Sequence, residues 1–374
     1  MTSTVFVRDI MRLMEEIAPA KLAMDNDKIG LQVGNVDKPV SRVWVALEAS
    51  PDTVDAAVDA GVDMIVTHHA LLFRPIARLD TRQRRDRAIQ QLLVHDIAVF
   101  SAHTNLDIAP GGVNDVIAGK LGLKDVEVLD VTYREPLYKL VVYVPTTHLD
   151  VVRSAIGDAG AGAIGRYTHC TFSASGTGTF LPGQGTKPFI GTQGELEQVA
   201  EARLETVVPD HLIHSVVARM CEVHPYEEVA YDILPMLQTG DEFGIGRIGN
   251  LERSIALEEF AERVRDEFGM RHIRFAGDPN LQVDRVAVLG GSGSRWVAAS
   301  LEKGAQVLVT SDVGHHEAGD AWADGMAVVD ATHAALEQPV CAVLAQMLRD
   351  KLRANGTSVT IEAAPVTVDP FTWI

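Results

Sequence analysis

The chain has 374 residues, 47% hydrophobic and 22% charged, the balance of an ordered globular protein with room for two or three domains. Its formal net charge is -18 with no Lys/Arg-rich block to relieve it, so phosphate backbones and anionic lipid surfaces are poor partners for it. Three cysteines, Cys170, Cys221 and Cys341, are far apart and never form a CxxC pair, which argues against a disulfide framework and against a thiolate metal site.

The opening stretch, 1–19, has apolar residues at helical spacing broken by Glu15 and Glu16, without the basic start and unbroken apolar run of a secretory signal. No apolar run approaches the roughly 20 residues that span a bilayer. A cytoplasmic location is the expectation.

From residue 43 strands and helices alternate. VWVALEA (43–49) reads as a strand and SPDTVDAAVDAG (50–61) as a capped helix ending at Gly61. VDMIVTHH (62–69) is a strand, followed by a basic segment from Arg78 to Arg87, a helix through Val94 and the strand IAVFSAH (97–103). This rhythm implies βαβ units and a largely parallel sheet. It returns near the C-terminus with RVAVLGG (285–291), a helix from Ser294, AQVLVTSD (305–312), a short helix, MAVVDAT (326–332) and a long helix from about Ala334 to Ala354.

The middle differs. LYKLVVYVP (137–145), LETVVP (204–209) and VAYDILPM (229–236) read as strands, with a helix at 211–224 and a Gly/Thr/Ser/Pro-dense stretch from Gly160 to Gly194. An α+β unit inserted at 134–242 therefore divides an α/β core formed by 1–133 and 243–374. Insertions are tolerated at surface loops because domain termini often lie close together.

In parallel sheets, functional groups gather beyond the carboxyl ends of strands, and four such loops carry histidines or acids. His68 and His69 follow VDMIV; adjacent side chains diverge in extended backbone, which suits two neighbouring ions, although a helix cap plus a solvated ring explains an isolated pair as well. SAHTNLDIAPGG (101–112) offers His103 and Asp107, or merely side-chain-capped turns. DATHAALE (330–337) places His333 and Glu337 on one helix face, as ligands or as a helix-start ion pair. TSDVGHHEAGDA (310–321) holds Asp312, His315 and His316, as proton carriers or as a hydrogen-bonded turn. Gly-rich GGSGS (290–294) can cradle a phosphate or simply turn tightly. A G-x-S-x-G elbow, a Walker A loop and a complete G-x-G-x-x-G after the first strand are all absent from the sequence. Three separate loops with imidazole or carboxylate make a metal-dependent chemistry the leading reading.

THHALLF, SAHTNLD, GGSGS, SDVGHHEA and DATHAALE occur in this order, and in that order and spacing the chain resembles the NIF-three-like dinuclear-metal family, the GTP cyclohydrolase 1 type 2 homologues. Segments 162–183, KPFIG (187–191) and HPYEEVAYDILP (224–235) resemble the insert of longer members, similar to the ferredoxin-like fold of PII and CutA. The resemblance implies a three-layer α/β core with largely parallel sheets plus that insert. It also implies two divalent ions per protomer (zinc first, iron or manganese next) on His68, His69, Asp107, His333 and Glu337. Glu337 would be the bridge, and His103 and His316 the candidates for catalytic proton transfer. A homohexamer and a small-molecule substrate, possibly a nucleotide, come with it. One departure lies at Asn26-Asp27-Lys28, where Lys28 replaces a polar neutral residue. The expected activity is metal-assisted hydrolysis resembling purine ring opening; a metal-binding scaffold or regulator is the rival. Plain nucleotide binding through GGSGS is a third reading, under which Gly291→Val removes ligand but not metal.

Overall fold

The computed structural model describes residues 4–354, 359–366 and 369–372. Two compact units divide the chain, one formed by 1–133 with 243–374 and the other by 134–242.

In the first unit, α1 (Val7–Ile17) leads to β1 (Gly30–Val33), β2 (Arg42–Ala46), α2 (Pro51–Asp59), β3 (Met64–Thr67), α3 (Arg84–Val94), β4 (Ala98–Ser101), α4 (Thr104–Ile108) and α5 (Val113–Lys120). The expected helix at the N-terminus is thus present, although residues 1–3 of that stretch lie outside the described residues. Ser50 caps α2, its hydroxyl accepting from the Thr53 amide, and Pro51 starts the helix where no N–H partner is needed. The chain passes through the second unit along β5 (Lys124–Pro145), α6 (Leu149–Asp158), β6 (Thr171–Phe180), β7 (Glu197–Pro209), α7 (Ile213–Val223) and β8 (Tyr231–Ala256). It then completes the first with α8 (Leu257–Glu267), β9 (Arg274–Ala276), β10 (Gln282–Ser292), α9 (Val297–Glu302), β11 (Val307–Ser311), α10 (His315–Ala323), β12 (Ala327–Asp330), α11 (His333–Ala354) and β13 (Thr360–Ala363).

One core sheet has the order β1-β4-β3-β2-β13, parallel throughout except for the β1 edge. Both faces are buried, which explains its continuous apolar strands. Val43, Val45, Met64, Val66 and Phe100 face the main core, while Trp44, Ile65 and Val99 pack in a second cluster with Val54, Ile89 and Leu92 of α2 and α3. Successive side chains point to opposite faces of a strand, so the two clusters alternate along it. The C-terminal sheet is mixed: β10, β11 and β12 run parallel, flanked by antiparallel β8 and β9. The three-residue β9 has too short an apolar pattern to be read from sequence.

The second unit is a βαββαβ element with strands in the order β6-β7-β5-β8, the ferredoxin-like arrangement that the resemblance implies. β7 pairs antiparallel with both β5 and β6. Leu140, Val142 and Leu204 pack on Val152 and Ile156 of α6 and Val216 and Met220 of α7, giving this unit its own core.

Candidate metal centre

Strand ends of the first unit converge on one cluster. His68 and His69 directly follow β3, Asp107 sits in the short α4 after β4, and His333 and Glu337 occupy the first turn and a half of α11 after β12. His68, His69 and Glu337 can hold a metal ion, with one ligand atom from each lying within 4.8 Å of the others.

The tautomer of His68 follows from its hydrogen bonds. Its Nδ1 lies 3.0 Å from the Ala102 carbonyl, which can only accept, so Nδ1 carries the proton in the neutral ring. Nε2 then presents a lone pair 3.6 Å from Asp107 Oδ1 and 3.7 Å from Glu337 Oε1, beyond hydrogen-bond reach of both. All three residues are buried, and His68 Nε2 and Asp107 Oδ1 have no hydrogen-bond partner among the described residues. Leaving a buried lone pair and a buried carboxylate oxygen unsatisfied is costly. A divalent cation satisfies both at once, so these residues fit the metal that the family implies.

Glu337 is the hub. Its Oε2 lies 2.9 Å from His69 Nε2 and 3.1 Å from His333 Nε2, and the His69 and His333 rings meet edge-on, 5.2 Å apart. Behind them, His333 Nδ1 is hydrogen-bonded to Asp312 Oδ2 at 2.7 Å, and Glu48 Oε2 stands at ion-pair distance from His69 Nδ1, 3.8 Å. Carboxylates behind imidazoles orient metal-binding histidines in this way. Asp312 holds its position with φ +57°, a left-handed conformation that aspartate adopts more readily than most residues.

The electrostatics show a cluster that demands positive charge. Burial opposes protonation of His69, yet Glu337 and Glu48 raise its pKa to about 10. Burial likewise opposes charge on His333, which Glu337 and Asp312 hold at about 9. His68 moves the same way, burial being outweighed by Asp107 and Glu337. Burial pushes Asp107 up to about 6, while Glu337, despite burial, stays well below the usual carboxylate range because three imidazoles surround it.

His103 stands beside this group, its ring 5.4 Å from that of His68 and 6.0 Å from that of His69. Its Nδ1 donates to Asp27 Oδ1 at 2.7 Å, and Asp27 Oδ2 accepts from the Thr104 amide at 2.9 Å. Burial would raise the Asp27 pKa, but the bonds from His103 and Thr104 hold it far below the ordinary carboxylate value. The Lys28 departure leaves this contact intact, because the lysine amine turns away to the Asn26 carbonyl.

Among the described residues, His316 makes no hydrogen bond, ion pair or ring contact with the cluster. It is exposed on α10 and its ring packs against His315, 5.3 Å away, rather than against the carboxylates. Adjacent helical residues diverge by about 100°, and of this loop it is Asp312 that reaches the cluster.

Sequence reasoning also missed Asp27, Glu48 and Asn114. Asn114 is fully buried, donating to the Asp107 carbonyl at 2.9 Å and accepting from the Gly290 amide at 2.9 Å, so it ties the Asp107 turn to the GGSGS loop. Gly291 has φ +72°, and a Cβ there would lie 3.0 Å from Glu337 Oε1. Close backbone approach to the carboxylate accounts for this glycine; a side chain at 291 presses on Glu337, so Gly291→Val would disturb this cluster as well as the GGSGS loop. A cavity of about 650 Å³ opens beside His69, His333 and Asp312, with Glu48, Arg274 and Phe371 among its walls.

With this geometry stand the relatives. The DUF34/NIF3 family (NGG1p interacting factor 3) matches residues 5–370. The chain belongs to that family. It is 45% identical over 368 residues to a Halalkalibacterium halodurans protein named GTP cyclohydrolase 1 type 2 homolog, covering 98% of both chains. A Bacillus subtilis protein of the same name is 45% identical over 377 residues, with 100% of both covered. A crystal structure of a Bacillus cereus protein related to NIF3 matches with TM-score 0.94 at 41% identity over 100% of both chains. Among the described residues no helix is long and apolar enough to cross a membrane.

Proposed function

We propose that this NIF3-family chain is a metal-dependent hydrolase that holds two divalent ions on His68, His69, Asp107, His333 and Glu337. The carrying observation is the pair of buried, unpartnered ligand atoms, His68 Nε2 and Asp107 Oδ1, facing a carboxylate that already gathers two further imidazoles. An all-nitrogen-and-oxygen donor set suits zinc, and iron or manganese also. Ions held there would polarise an electrophile and lower the pKa of water.

The chain's own residues supply orientation and proton handling. The Ala102 carbonyl and the Asp312 carboxylate lock the His68 and His333 rings, leaving Nε2 of each turned to the carboxylates. Because His103 Nδ1–H is committed to Asp27, its Nε2 is the acceptor left to take a proton, with the ring held in place by the Asp27 carboxylate. The cavity beside His69 and His333 is of a size for one small-molecule substrate. The relatives named GTP cyclohydrolase 1 type 2 homolog make a purine nucleotide the first substrate to try. A homohexamer, implied by the family resemblance, belongs to the same reading and is tested by light scattering.

Elemental analysis of gently purified protein, alongside His333→Ala/Glu337→Gln, tests the centre. About two ions per protomer in the wild type, falling sharply in the variant, are expected; metal content indifferent to the variant overturns the centre. Formate release from GTP is then measured on loaded protein. A loaded protein inert to nucleotides, phosphoesters and amides overturns the hydrolase assignment in favour of a metal-binding scaffold.

A further inference from the structure

The insert contains a cavity of its own, about 650 Å³, lined wholly by residues between 143 and 230. Its floor is β6 from Ala174 to Phe180, where Ser, Gly and Thr keep the surface low. One charged side chain is sunk into it. Glu201 on β7 is 8% exposed, and its Oε1 accepts from the Tyr226 hydroxyl at 2.8 Å. Oε2 lies over Gly178 so closely that a Cβ there would meet it at 2.0 Å, so a side chain at 178 would displace the carboxylate from this position.

Among the described residues no ion pair reaches Glu201. Arg203, two residues along the strand, is held by Glu205 at 3.1 Å. His224 commits both ring nitrogens to backbone, Nδ1 accepting from the Tyr226 amide and Nε2 donating to the Tyr143 carbonyl. That pattern belongs to a neutral ring, and burial lowers its pKa accordingly. A sunken carboxylate without a cation is expensive to keep. The walls favour a cation too: Tyr226 and Phe180 rings pack 5.8 Å apart, and Phe189 is half-exposed at the rim. Aromatic faces attract ammonium and guanidinium groups. Glu227 accepts the Lys187 amide at 3.0 Å, holding the loop that closes the cavity, and with Glu228 it leaves three carboxylates against one arginine in the lining.

We infer that this cavity binds a small organic cation, an ammonium or guanidinium group on an apolar stem, with Glu201 as counter-ion and Tyr226 orienting it. The site is independent of the metal centre, and its charge disfavours an anionic occupant such as a free nucleotide.

The test uses the full-length, metal-loaded protein. Phenethylammonium and butylguanidinium chlorides are titrated calorimetrically, with 2-phenylethanol as the neutral isostere. Both cations are expected to bind saturably and the alcohol not at all. Glu201→Gln is expected to weaken the cations about ten- to a hundredfold, with metal content unchanged. Hydrogen–deuterium exchange of the wild type is expected to show protection by the cations confined to 174–180 and 226–230, which decides the matter even if the variant fails to fold. Three results overturn the inference: no saturable binding, equal binding of the alcohol, or protection elsewhere. Probe affinity that weakens as protein concentration rises would mean that a Lys or Arg of a second copy fills the site, which also overturns a small-molecule role.

Discussion

Replacing Gly291 by alanine tests the packing logic of the centre most directly. The residue has φ +72°, where a side chain costs about 1–2 kcal/mol. The added Cβ would stand 3.0 Å from Glu337 Oε1, so an ordinary 3.4 Å contact requires the carboxylate to retreat by about 0.4 Å. Glu337 has little freedom to retreat, because it is buried and its Oε2 is held at 2.9 Å by His69 and 3.1 Å by His333. Straining those charge-assisted bonds should cost a further ~1 kcal/mol, which as lost metal affinity is a factor of about five. Gly61 provides the control: its φ is +62° and a Cβ there meets nothing within 4 Å, so Gly61→Ala carries the backbone cost alone. Urea denaturation with chelator present should give Gly291→Ala a loss about 1 kcal/mol larger than Gly61→Ala, and competition against a chelating dye should show its weaker metal binding. Equal losses in the two variants, with wild-type metal affinity in Gly291→Ala, would refute the claim that this glycine exists to admit Glu337.

Other predictions concern protons. Since His69 and His333 have pKa values raised to about 10 and about 9 without metal, an ion must displace protons to bind. Apparent metal affinity should therefore rise with pH between about 6 and 9, with proton release visible to an indicator in weak buffer; pH-independent affinity would contradict this. Asp27→Asn should keep metal content while lowering turnover about ten- to a hundredfold, because it removes the charge behind His103. The folded-state pKa of Asp27 is depressed, so its contribution to stability is present above the ordinary carboxylate value and fades as pH falls below it. An acid-denaturation curve shared by wild type and Asp27→Asn would argue against that contribution. His316→Ala should leave metal content and turnover within about twofold, as a substitution of an exposed side chain; a large loss in turnover would assign that histidine a catalytic role.

The sequence by itself determined the elements that carry the centre. Apolar runs of four or five residues ending in His68-His69, in the 101–107 segment and in the turn before His333 announce strands buried on both faces, and the candidate ligands fall where such strands end. The i,i+4 spacing of His333 and Glu337 likewise fixes one helix face without reference to anything else. The mixed character of the C-terminal sheet was not legible, because antiparallel β8 and β9 carry no local mark of the direction in which their neighbours run.

Tertiary structure alone decided which polar residues stand behind the ligands. Asp27 and His103 are 76 positions apart, and His69 and Glu337 are 268 apart; nothing in local periodicity pairs them. It also separated Asp312 from His316, since which side of the loop meets α11 depends on a left-handed turn at 312. The same holds for Glu201: on a strand of alternating residues it reads as an ordinary surface acid. Only Gly178, diagonal to it on β6, and the tyrosine arriving from after α7 make it a buried charge. Local pattern sets where a side chain points, but burial and partnership depend on chain segments far away in sequence, and those depend on packing.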